Sequence, residues 1–105
     1  LAAANIQTPL PGNPPLQYEA QGRWVEAEAC YQQSLAICRE FGDRVGEGQT
    51  LNNLGLLREA REDIAGALDF ARQAVSVLEK TEDKAELEKA RRLVTKWDQQ
   101  AKAKS

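Results

Sequence analysis

The 105-residue chain contains no histidine and no methionine, and only two cysteines and six aromatic residues. Each scarcity excludes something. Without histidine there is no imidazole general acid or base, no Ser–His or Cys–His nucleophile, and none of the usual zinc ligand sets. Cys30 and Cys38 lie eight positions apart in a helical pattern, about 12 Å along an axis rising about 1.5 Å per residue, too far to form a disulfide with each other. They read as reduced thiols of a cytoplasmic protein. No apolar run is long enough to cross a membrane, and no basic segment precedes an apolar one as in a signal peptide. The lack of methionine suggests a fragment or a processed product. Proline occurs only at positions 9, 11, 14 and 15, so whatever is regular must begin after them.

What is abundant is Ala, Leu, Glu, Lys, Arg and Gln, a composition that favours helix. The length suits one small domain. Charge is unevenly placed: residues 84–105 hold seven basic and three acidic side chains, whereas residues 1–83 hold seven and thirteen. The segment after residue 83 is therefore basic and the body acidic.

Shifting the sequence by 40 positions aligns it with itself. Leu16, Glu19, Ala20, Ala27, Gln33 and Asp43 fall on identical Leu56, Glu59, Ala60, Ala67, Gln73 and Asp83. Trp24, Ser34, Leu35, Ile37 and Arg44 fall on similar Ile64, Ala74, Val75, Val77 and Lys84. Internal repetition at this period marks a stacked array of supersecondary units. Gly42–Asp43 supplies a helix stop followed by an N-cap, and Asp83 repeats the cap without the glycine. Helices are expected at 16–21, 24–41, 44–61, 64–80 and 84–101, with stripes Trp24, Ala27, Tyr31, Ser34, Leu35 and Cys38 on one and Ile64, Ala67, Leu68, Ala71, Ala74, Val75 and Leu78 on another. Leu87, Ala90, Leu93, Val94, Trp97 and Ala101 form the inner face of 84–101, whose opposite face is charged, as in a terminal capping helix. Residues 1–15 should be extended or polyproline II.

The stretch QTLNNLG, Gln49–Gly55, has low helix propensity inside a helical context. Leu51, Leu54 and Gly55, with Ala67 and Ala74 on the next helix and Tyr18, Gly22, Ala27 and Tyr31 one repeat earlier, resemble the tetratricopeptide repeat family. GDRVGEGQTLNNLG is similar to the long variant of kinesin light chains, Pins-like polarity adaptors and bacterial repeat arrays. The resemblance implies an all-α, right-handed α–α superhelix of about two repeats, 16–42 and 43–82, with a capping helix at 84–101 and a short tail, 102–105. It departs from the family pattern at Arg58 (usually Tyr), Glu62 (usually Gly) and Ala71 (usually a large aromatic). Pro14 and Pro15 stand at the Leu-Gly position of the first repeat.

The resemblance further implies a protein-interaction scaffold that binds a peptide or protein in a concave groove, with no catalysis and no cofactor. Asn53 matches the family's main-chain clamp, using its amide as donor and acceptor. Gln49, Asn52, Leu56 and Glu59 are expected on the groove wall, with Lys89, Arg92 and Lys96 adding positive charge from the capping helix. Gly55 is expected to face the helix that follows it, and Gly46 and Gly48 to face helix 24–41. The two-carboxylate clamp of chaperone-tail binders is incomplete, because Leu93, Gly12 and Leu16 occupy positions that should be polar. An extended acidic peptide fits the Lys89, Arg92 and Lys96 cluster better. That basic face has no exposed aromatic interleaving and no glycine-rich loop, so nucleic acid is not the expected partner. A second reading is structural: a stacking or oligomerising unit of a longer array, such as the sensor arm of a bacterial regulator, self-associating through its N-terminal end.

Overall fold

The computed structural model describes residues 23–103, which form four α-helices: α1 (Trp24–Phe41), α2 (Arg44–Ala60), α3 (Ile64–Leu78) and α4 (Lys84–Ala103). The helix expected at 16–21 and the extended segment 1–15 lie outside the described residues. Trp24 and Ile64 open α1 and α3, and Arg44 and Lys84 open α2 and α4, forty positions apart in both cases. The repeat inferred from self-alignment is thus a repeat of helices. The third helix stops at Leu78, two residues before its expected end. There the Thr81 hydroxyl donates to the Leu78 carbonyl at 2.8 Å, drawing the chain out of the helix.

Local chemistry explains the boundaries. Gly42 takes the left-handed conformation at φ 70° and its N–H returns to the Arg39 carbonyl, the usual glycine-closed helix end. Asp43, Asp63 and Asp83 then act as successive N-caps, their carboxylates accepting from the backbone N–H groups of Gly46, Gly66 and Glu86 at 2.9, 3.0 and 3.1 Å. Each cap satisfies a donor that the first helical turn leaves without a partner.

One apolar core runs between α1, α2 and α3 through Ala27, Tyr31, Leu35, Leu51, Leu54, Leu57, Ala74 and Leu78, reaching Ala90 of α4. A second forms where Ala67, Leu68 and Ala71 of α3 meet Trp97 of α4, with Leu56, Leu93 and Val94 against them. Ser34, expected on the α1 stripe, is exposed instead. Trp97 is completely buried, and truncating a buried side chain of this size typically costs about 3–5 kcal/mol. Helix α4 is therefore an integral layer of the domain. Ala71 is small because the Trp97 cluster lies over it.

The glycines of α2 follow from this packing. A Cβ on Gly55 would lie 2.8 Å from the Trp97 ring and 3.2 Å from the Ala67 carbonyl, so the position faces α3, as expected, and α4 as well. Gly46 does face α1, where a Cβ would approach the Cys38 sulfur as well as the Asp43 cap. Gly48 does not: a Cβ there would come within 2.3 Å of Leu78, which belongs to α3. Its place is set by close approach to the following helix. Cys30 and Cys38 are both free thiols, each shifted upward in pKa chiefly by burial.

Candidate functional site

Burial leaves one arc of α2 open beside its buried leucines. Leu51, Leu54 and Leu57 are fully buried, while Val45, Gln49, Asn53, Leu56 and Ala60, spaced by three or four residues, are half-buried or exposed. Residues at that spacing share one helix face. Gln49, Asn53 and Leu56 therefore share one face of α2. Val45 and Ala60 belong to the same arc and were not anticipated, since nothing in their side-chain chemistry singles them out.

Asn52 does not belong to it. Its side chain is fully buried, and its amide nitrogen donates to Glu86 on α4 at 3.3 Å. This corrects the expectation that Asn52 faces a groove. One position along a helix rotates a side chain by about 100°, which turns Asn52 under α4 while Asn53 stays outward. The Asn52 carbonyl oxygen has no hydrogen-bond partner among the described residues, an omission that costs about 1–3 kcal/mol for a buried acceptor.

Glu59 also works as a bridge between helices. One carboxylate oxygen accepts from the Trp97 indole N–H at 2.9 Å and meets the Lys96 ammonium at 2.9 Å. The Trp97 hydrogen bond, then Lys96, hold its carboxyl below the usual carboxylate range against the opposing effect of burial. Residues 52 and 59 of α2 thus meet residues 86 and 96–97 of α4, so the two helices run side by side in the same direction. The open arc of α2 and the neighbouring face of α4 make one continuous surface.

On that face Lys89, Arg92 and Lys96 are all exposed, but they are not equivalent. Arg92 pairs with Glu88 one turn earlier on α4, and Lys96 is engaged with Glu59. Lys89 has no ion-pair or hydrogen-bond partner among the described residues. No group of three or more Cys, Asp or Glu side chains able to hold a metal occurs among the described residues. No described helix is long and apolar enough to cross a membrane.

On the far side of α2, Arg58 explains a departure from the repeat pattern. Its guanidinium donates to both carboxylate oxygens of Glu28 on α1 at 3.1 and 2.9 Å and to the Asp63 cap at 2.9 Å. It also lies 5.5 Å from the centre of the Phe70 ring, within cation–π range. Arg58 thereby ties three helices together, and the aromatic missing at Ala71 is present one residue earlier.

A tetratricopeptide repeat model matches residues 16–80, more than half of the chain. No curated protein and no solved structure matches it significantly. The helix pairs repeating at 40 residues, the small residues between them and this match place the chain in one class, the all-α helical repeat proteins. Within that class it belongs to the tetratricopeptide repeat family, whose members are generally protein-interaction repeats.

Proposed function

We propose that the chain is an interaction module that takes an extended, acidic segment of a partner protein across the joint face of α2 and α4. The observation that carries this reading is the composition of that face. Gln49 and Asn53 present amides on an open arc of α2, beside an α4 whose Lys89 is unpaired among the described residues. An amide offers a donor and an acceptor to a ligand main chain, and a free ammonium offers a charge to a carboxylate. Leu56 supplies a half-buried apolar patch between them. Arg92 and Lys96 extend the positive field, and Glu59 serves by holding Lys96 and Trp97 in place. The buried, half-satisfied Asn52 beneath the face is a local cost that stability alone does not account for.

The test is an array of acidic extended peptides read by fluorescence anisotropy. Peptides that bind the native protein should lose about tenfold in affinity with Lys89→Glu and several-fold with Asn53→Ala, at unchanged thermal stability. Binding indifferent to both substitutions would remove the α2–α4 face as the site.

A second reading is favoured by α1. Ile37 and Phe41, four positions apart on one face of α1, are 45% and 77% exposed, which suits a surface that meets another copy or a neighbouring unit of a longer array.

A further inference from the structure

Between α3 and α4, away from the α2–α4 face, lies an open cleft of about 370 Å³ lined by Arg72, Val75, Arg91, Val94 and Thr95. Its lining comes from two adjacent helices, Arg72 and Val75 on α3 and the rest on α4. Val75 and Val94 are half-buried apolar side chains between two guanidinium groups. Arg72 reaches Asp98 of α4 at 3.5 Å, and Arg91 reaches Glu79 of α3 at 3.4 Å. Both arginines are well exposed, with side-chain exposures of 60% and 59%. Exposed pairs of this kind contribute about 0–1 kcal/mol, so either arginine can exchange its present partner for a ligand carboxylate with little loss.

Two further features define what fits. First, the only hydroxyl in the lining, on Thr95, already donates to the Arg91 carbonyl within its own helix at 3.1 Å. A peptide in extended form would set its backbone N–H and C=O groups against two valines with little to bond to, whereas a helix satisfies its own backbone. A groove between two packed helices also accepts a third by ordinary ridge-and-groove packing. Second, charge around the cleft is in positive excess. Its lining holds two arginines and no carboxylate, while Asp98 and Glu79 reach those arginines from outside the lining.

We infer that the α3–α4 cleft is a second docking surface, separate from the α2–α4 face, for an amphipathic helix of another protein whose apolar stripe is flanked by carboxylates. The stripe lies on Val75 and Val94, and the flanking carboxylates engage Arg72 and Arg91 from either side. Such a site would let the module hold two partners at once, one extended and one helical.

The probe is a synthetic helical peptide of about 20 residues, long enough to hold a helix, with leucines at i, i+3 and i+4 spacing flanked by glutamates. A counterpart carries lysines in place of the glutamates. Anisotropy titration against the full chain should show binding of the acidic peptide only, weakening as salt rises. Backbone amide shifts should concentrate at Val75, Arg91, Val94 and Thr95. Arg91→Glu and Arg72→Glu should each weaken binding by about tenfold, and Asn53→Ala should leave it unchanged. Arg91→Gln, which removes the charge without reversing it, gives an intermediate loss and guards against misfolding of the reversal variants. Equal binding of the lysine peptide, shifts confined to the α2–α4 face, or indifference to all three arginine variants would overturn the proposal. So would cleft resonances that move with protein concentration alone, which would assign the cleft to a second copy of the chain.

Discussion

At the level of single residues, the departures from the repeat pattern separate into those the fold compensates and one it does not. Arg58 replaces an aromatic and recovers the loss through Glu28, Asp63 and Phe70. Glu62 occupies the turn between α2 and α3 with φ at 62°, the one non-glycine residue at positive φ among those described. A residue with a Cβ is disfavoured in this conformation by about 1–2 kcal/mol, partly offset because glycine has more freedom to lose on folding. Glu62→Gly should therefore stabilise the domain by about 0.5–1 kcal/mol, raising the thermal midpoint by about 4 °C for a chain of this size. Circular dichroism melting checks this, and an unchanged or lower midpoint would contradict the strain at Glu62. The need for a left-handed residue could be suspected from the family pattern, but the sequence alone cannot show that glutamate complies with it.

Among the elements, α4 is the one whose attachment determines the proposed face. It is joined to α2 by three polar contacts, Asn52 with Glu86 and Glu59 with both Trp97 and Lys96, and to α3 by the packing of Trp97. Glu59→Ala leaves the buried indole N–H without an acceptor and should destabilise the protein by about 2 kcal/mol. Glu59→Gln, which keeps an acceptor, should cost less. Acid has a related effect. The carboxyls of Glu59 and Asp63 titrate below their ordinary values in the fold, Glu59 chiefly through Trp97 and Asp63 chiefly through the Gly66 N–H and then Arg58. Their contribution is complete above the ordinary carboxylate range, and is lost as pH falls through the lowered native values, where protonation favours the unfolded chain. Urea midpoints measured from pH 7 to pH 3 should fall most steeply below about pH 4.5. The fall should be shallower in Glu59→Gln, and parallel curves for the two proteins would show that Glu59 plays no part.

For the whole molecule, the two ends of the array differ in character. Helix α4 turns a charged face outward, whereas α1 exposes Val25, Ile37 and Phe41. Sedimentation velocity should show reversible self-association that Ile37→Ser with Phe41→Ser abolishes. A monomer at all concentrations would end the second reading while leaving the α2–α4 face untouched. The fold was largely legible beforehand, because a 40-residue period, apolar stripes at helical spacing and the Asp43 and Asp83 caps are local or repeating signals that burial only reinforces. The geometry of the proposed face was legible in part. Gln49, Asn53 and Leu56 follow from helical phase, which is a property of the sequence. The fate of Asn52, the roles of Glu59 and Glu86, the true neighbour of Gly48 and the pairing of Arg58 were not, because each depends on which second helix comes within about 3 Å of a side chain. By itself the sequence determined the helices, their repeat and which faces are apolar, since these arise from residues three or four apart. Only the tertiary structure decided which polar groups are engaged and which remain for a partner, since that depends largely on which helices come to lie against one another.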